Sequence, residues 1–202
     1  MPSRTYLLGL FVQARFEAQG VLTWGIISGL AVRINTMTTS NLILIGMPGS
    51  GKSTIGVILA KKSSRDFIDT DVLIQSHEHR ALQDIVDKDG YMALRDIEEK
   101  WVLTLDVENT VIATGGSVVY SEKNMVHLAG LGSIIFLDLS LANLGKRISD
   151  YHQRGVARRP NQSFAELFEE RSELYQRYAQ ITLPCDDFNK EAICTNILSQ
   201  LK

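Results

Sequence analysis

Short apolar runs alternate with longer amphipathic stretches along most of this chain. Leu42–Gly46 (LILIG) is a continuous apolar run ending in glycine, as expected of a strand buried on both faces of a parallel sheet. A helix is expected over about 52–62, with Ile55, Val57, Leu59 and Ala60 as its apolar positions. Phe67-Ile68 opens a second strand that ends in Asp69-Thr70-Asp71. Two helices should follow, at about 81–88 and 90–108. In the second, Leu94, Ile97, Trp101, Leu103 and Leu105 form a core face. Thr110–Thr114 and Ser133–Asp138 read as the third and fourth strands, the third running into Gly115-Gly116. A helix from about Leu141 gives way to the polar stretch YHQRGVARRPNQS. Residues 164–179 are helical by periodicity, with Ser163 as N-cap and Glu166 three positions on. Ile181–Leu183 is a fifth strand, and a last helix starts near Lys190. This alternation predicts an α/β fold of three layers: a central, mostly parallel five-stranded sheet with helices on both faces.

Residues 1–36 break the pattern. Their apolar runs, YLLGLF and VLTWGIISGLAV, are separated by Arg15, Glu17 and Gln19. Neither reaches the roughly 20 apolar residues that span a bilayer. Arg4 followed by an apolar stretch has the outline of a signal peptide, but no small-x-small cleavage pattern follows the first run. Met37, followed by polar TTSN and then the first strand, is the better candidate for the true start. The expectation is an extension over 1–36 and a single domain over 37–202.

Composition adds limits. The chain has 202 residues, 45% hydrophobic and 22% charged, enough for one α/β domain with a sizeable core. A net charge of -2 gives no electrostatic reason to expect nucleic acid or an anionic membrane as partner. Cys185 and Cys194 lack the spacing and nearby histidine of a zinc site and read as reduced thiols of a cytoplasmic protein. His77 and His79, in the charged stretch HEHR, read as solvated surface.

The chemistry begins at Gly46-Met-Pro-Gly-Ser-Gly-Lys52-Ser53, which fits G-x-x-x-x-G-K-[ST] between a buried strand and a helix. Backbone N–H groups of Gly49, Ser50, Gly51 and the following turn, Thr54 included, can curl around a phosphate at the positive end of the helix. Lys52 should reach the β and γ phosphates of ATP, and the Ser53 hydroxyl should ligate Mg²⁺.

Further features call for a small, anionic, hydroxylated acceptor. Asp69 and Asp71, two apart at the end of a strand, should lie on one side. One can serve the metal and the other take a hydroxyl proton. A pair of capping aspartates is the plainer alternative. Arg95 and Glu98 share a helix face. Gly115 and Gly116 follow a buried strand, where backbone N–H groups can approach a ligand. Arg154, Arg158 and Arg159 sit in a polar segment that reads as a lid over about 151–162, and Arg171 is a second anion holder.

Together these motifs resemble the shikimate kinase family from about Asn41 to the end of the chain. GMPGSGKSTIG resembles the family's phosphate loop. In FIDTD, the resemblance implies Asp71 as the residue that binds the acceptor hydroxyl and serves as base, with Asp69 near Mg²⁺. ALRDIEE resembles the helix whose arginine, here Arg95, grips the shikimate carboxylate with support from Glu98. ATGGS resembles the glycine motif, which implies that Gly115 and Gly116 hold hydroxyls. ARRP resembles the lid, with Arg159 on the transferring phosphate, and ERSELY brings Arg171 as a second carboxylate-binding arginine. Arg147, in LGKRIS, falls where the family often has an arginine near the adenine. Two departures stand out: Ser117 takes the place of a third glycine, and Arg158 and Arg159 compete for the lid role. The implied activity is ATP-dependent phosphorylation of the shikimate 3-hydroxyl by a monomer in the cytoplasm. The rival readings are a kinase for another small hydroxy acid, such as gluconate, and a non-catalytic nucleotide-binding relative.

Overall fold

The computed structural model describes residues 26–27, 30–31, 41–147 and 155–201. The chain divides into two units, Met1–Met37 and Thr38–Lys202. In the first, β1 (Ile26–Ile27) pairs antiparallel with β2 (Leu30–Ala31). The rest of the 1–36 extension lies outside the described residues.

The second unit is built on β3 (Asn41–Ile45), every residue of which is buried. An apolar strand with no solvent face belongs mid-sheet, and β3 lies parallel between β5 (Thr110–Ala113) and β6 (Gly132–Asp138). β4 (Asp66–Asp69) and β7 (Ile181–Pro184) complete a five-stranded sheet of order β4-β5-β3-β6-β7, with every pairing parallel. Asn41 is the one polar residue of β3, and its side chain is fully engaged. Its Nδ2 donates to the carbonyls of Val107 and Leu131 at 2.6 and 3.0 Å, and its Oδ1 accepts from the Thr110 N–H at 2.9 Å. The amide pins the starts of three adjacent strands without leaving a buried group unpaired.

Helix α1 (Lys52–Ser63) packs on β3, β4 and β5 and against α7 (Lys190–Gln200). Val57, expected on its apolar face, is exposed, while Ile55, Leu59 and Ala60 are buried. Two helices went unforeseen. α2 (Thr70–Glu78) begins directly at the end of β4, because Asp69 caps it: Oδ1 accepts the N–H groups of Asp71 and Val72 at 3.0 and 3.4 Å. α4 (Glu122–Leu131) is capped by Ser121, whose hydroxyl accepts from the Asn124 N–H at 3.2 Å. The two helices expected over 81–108 are present within α3 (Leu82–Val102) and meet at Gly90, where φ is 88° and ψ 164°. It stops at Val102, so Leu103 is exposed and Leu105 is buried from the turn beyond. α5 (Leu141–Arg147) and α6 (Phe164–Tyr178) complete the layers, and the capping box of Ser163 with Glu166 is present.

No described helix is long and apolar enough to cross a membrane. Both cysteines are buried free thiols. Among the described residues no cluster of three metal-ligating side chains forms. His77 stacks on Trp101 with ring centroids 4.1 Å apart.

Candidate active site

The chain leaves β3 toward one edge of the sheet and leaves β6 toward the other, which opens a crevice beyond the carboxyl ends of the central strands. A cavity of about 640 Å³ occupies it. The loop after β3 forms one wall. Gly49 and Gly51 have φ of 83° and 99°, a region that side chains disfavour, and Ser50 is fully buried between them. α1 starts without a side-chain cap, so its first N–H groups remain available to an anion. Lys52, Ser53 and Thr54 line the cavity. The Lys52 ammonium donates to the carbonyls of Gly46 and Met47 at 2.8 and 2.9 Å. Burial pushes its pKa down to about 8, against the opposing pull of Asp71.

The opposite wall carries the acids and a buried cation. Asp71 comes from the first turn of α2, not from strand alternation, and it alone of the pair lines the cavity. Asp69 is occupied as the helix cap. Removal from water, then the charge of Asp69, raises the Asp71 pKa to about 6. Glu98, only 3% exposed, is raised to about 7 by burial, partly offset by a hydrogen bond from Ser117. That bond runs from Ser117 Oγ to Glu98 Oε2 at 2.5 Å. Ser117 therefore neither crowds the cavity unpaired nor points away from it. Arg171 is 1% exposed and lines the same cavity. Its Nη2 donates to the Ala157 carbonyl at 2.6 Å, while its Nε has no partner.

A side chain on either glycine of the motif would force its neighbours to shift. A Cβ on Gly115 would lie 2.3 Å from Glu98 Oε1 and 2.7 Å from Asp71 Oδ1, and one on Gly116 would lie 2.8 Å from Arg171 Nη1. The Gly115 N–H is spoken for, because it donates to Thr70 Oγ1 at 2.9 Å. It is not free to hold a hydroxyl as expected.

Three other site residues make contacts that their spacing did not foretell. Arg95 does not line the cavity: its guanidinium lies over the Tyr120 ring, 3.5 Å from the centroid. Glu98 makes its hydrogen bond to Ser117 and not to Arg95. Neither lid arginine reaches the cavity. Arg159 pairs with Glu170 at 2.5 Å, and Arg158 donates to the Gln162 carbonyl at 2.6 Å. Arg154 and residues 151–153 lie outside the described residues, and the rest of the expected lid is described from Gly155 onward. Arg147 does line the cavity, as does Lys190.

Sequence reasoning missed Lys190, Thr70, Tyr120 and Tyr175. Tyr175 is buried and donates to the Gly116 carbonyl at 2.6 Å. Thr70 sat inside the DTD motif and Tyr175 one helical turn beyond Arg171, so spacing could have flagged both. Nothing in the sequence flags Tyr120.

Residues 48–202 match the family model described as shikimate kinase. A shikimate kinase of Sulfurihydrogenibium sp. is 34% identical over 163 residues, covering 80% of this chain and 98% of the relative. One from Coxiella burnetii is 33% identical over 171 residues, covering 81% and 94%. Among solved structures, shikimate kinase from Acinetobacter baumannii in complex with shikimate superposes with a TM-score of 0.74 at 26% identity, covering 80% of this chain and 92% of that one.

Proposed function

The chain belongs to the shikimate kinase family, and on that premise we propose that it transfers the γ-phosphoryl group of ATP to the 3-hydroxyl of shikimate. The O3–P bond forms as the bond from phosphorus to the β–γ bridging oxygen breaks, giving shikimate 3-phosphate and ADP. The hydroxyl proton passes to Asp71. The observation that carries this reading is one cavity lined by Lys52, Asp71 and a buried, incompletely bonded Arg171. A phosphate-binding cation, a carboxylate base and a carboxylate-binding cation are the three groups that this transfer needs.

Positioning and electrostatics do most of the work in such a transfer. In this proposal the N–H groups of Gly49, Ser50, Gly51 and Thr54 and the Lys52 ammonium bind the phosphates, and Arg147 borders the adenine. Arg171 and Arg95 fork the shikimate carboxylate. Glu98 and the Gly116 side of the motif shape the hydroxyl pocket. Arg159 leaves Glu170 to reach the phosphates when the lid closes. Mg²⁺ fits the donor set: Ser53 offers a hydroxyl and Asp69 retains one carboxylate oxygen beyond its capping bonds, hard oxygens of the kind that ion takes in small number. When bound, it would screen the phosphate charge. The protein is proposed to act as a monomer in the cytoplasm.

The test is ADP release with shikimate and, separately, with gluconate. Turnover with shikimate alone is expected. Turnover with gluconate alone, or with neither, overturns the assignment. Asp71→Asn should lower kcat by at least about 100-fold while ATP binding by calorimetry stays near normal. Near-normal turnover of that variant would remove Asp71 as the base.

A further inference from the structure

Tyr120 closes the short 3-10 turn Val118–Tyr120 that follows the glycine motif. That turn packs against both α3 and α6, the helices that carry Arg95 and Arg171. The Tyr120 ring is half-buried and meets both guanidinium groups. Arg95 lies over its face with Cζ 3.5 Å from the centroid, and the Cζ of Arg171 is 5.3 Å from the same centroid. Tyr91, one turn before Arg95 on α3, is a more distant neighbour at 5.2 Å.

The arrangement has a physical consequence. Two guanidinium charges near one site repel, and the π face of a tyrosine close to both carries the negative part of its quadrupole. A guanidinium stacked face-on has its planar faces covered. Its N–H edges are left to bind, and these are the edges that fork a carboxylate. The Nε atoms of both Arg95 and Arg171 are buried without a hydrogen-bond partner, so each arginine retains an unused donor. Arg159, by contrast, is paired with Glu170.

We infer that Tyr120 is the positioning residue of the acceptor-carboxylate clamp: its ring face holds the Arg95 guanidinium near Arg171 and leaves the N–H edges open. This rests on the clamp role proposed for the two arginines. Arg95 is not among the residues that line the cavity, and the tyrosine keeps its guanidinium at the ring that Arg171 also meets. Tyr120 itself need not touch the substrate.

The experiment measures KM for shikimate and for ATP in Tyr120→Phe, Tyr120→Leu, Arg95→Ala and the double variant Tyr120→Leu with Arg95→Ala. The phenylalanine variant keeps the stacking face and should stay within about twofold of the parent for both substrates. The leucine variant should raise KM for shikimate on the order of 5- to 30-fold, with KM for ATP within about twofold. In the Arg95→Ala background it should add nothing further. The inference is overturned if Tyr120→Leu leaves the shikimate KM unchanged, if it raises both KM values equally, or if Tyr120→Phe is as damaging as leucine. Should the leucine variant fail to fold in a thermal melt, Tyr120→Met, which fills similar volume without a π face, is read by the same criteria. Arg95→Ala separates the two layers of argument. If it alone raises the shikimate KM and Tyr120→Leu does not, only the role of Tyr120 falls. If Arg95→Ala has no effect, the clamp reading itself falls.

Discussion

Glu98, Asp71 and Ser117 show how closely the chemistry is set residue by residue. The two carboxyl groups converge on Gly115 so tightly that a methyl group there would overlap both. Two carboxylates sharing a dry site cannot both ionise freely, and Ser117 relieves Glu98 by donating to it. A stability prediction follows from the sign of the shift. Glu98 is raised from 4.5 to about 7 in the folded protein. Below pH 4.5 it is neutral in both states and its contribution is intact. As pH rises toward 7 the unfolded chain gives up the proton first, so stability is lost across that window, on the order of 3 kcal/mol. Urea unfolding at pH 5 and pH 7.5 should show a fall in the parent and a smaller one in Glu98→Gln, which should be the more stable of the two at the higher pH. Asp71, raised for the same reason, keeps its own share of the slope. Equal slopes in parent and variant would mean that Glu98 ionises freely in the fold. The letters of these motifs were legible in the sequence. The Ser117–Glu98 bond was not, because it joins residues 19 apart on separate elements.

At the scale of elements, the sheet and the phosphate-binding helix were readable because their apolar patterns are strong. α2 was not. Its start depends on one carboxylate capping two backbone N–H groups, and periodicity does not register such a contact. The consequence is functional, since Asp71 reaches the cavity from a helical turn and Asp69 does not line it. The kink in α3 has a similar local cause. Gly90 adopts φ 88° with open space where a Cβ would sit. An alanine there meets no clash, only the backbone penalty of a positive φ. Gly90→Ala should therefore lower stability by about 1–2 kcal/mol in urea unfolding, with both KM values unchanged. Undiminished stability would show that α3 can straighten through this point without cost.

At the scale of the whole molecule, the residues that line the cavity are gathered from the carboxyl ends of β3, β4 and β5, from α3, α5, α6 and the start of α7, and from residues 155–157. Among the described residues, all that line it belong to the second unit, Thr38–Lys202. A chain beginning at Met37 is accordingly expected to melt cooperatively and to retain kcat and both KM values within about twofold. A large loss of activity in a folded truncation would assign residues 1–36 a part in catalysis. By itself the sequence determined the fold class, the phosphate loop and which side chains carry the charge, because buried runs and glycine-rich turns are local signals. The structure decided for Asp69 the capping role that the sequence had left as an alternative. Tertiary structure alone decided that the Gly115 N–H is already used by Thr70, that Arg159 rests on Glu170, and that Tyr120 lies against both arginines. Each of these three is a contact between groups that meet only when separate elements pack, and no spacing along one chain encodes it.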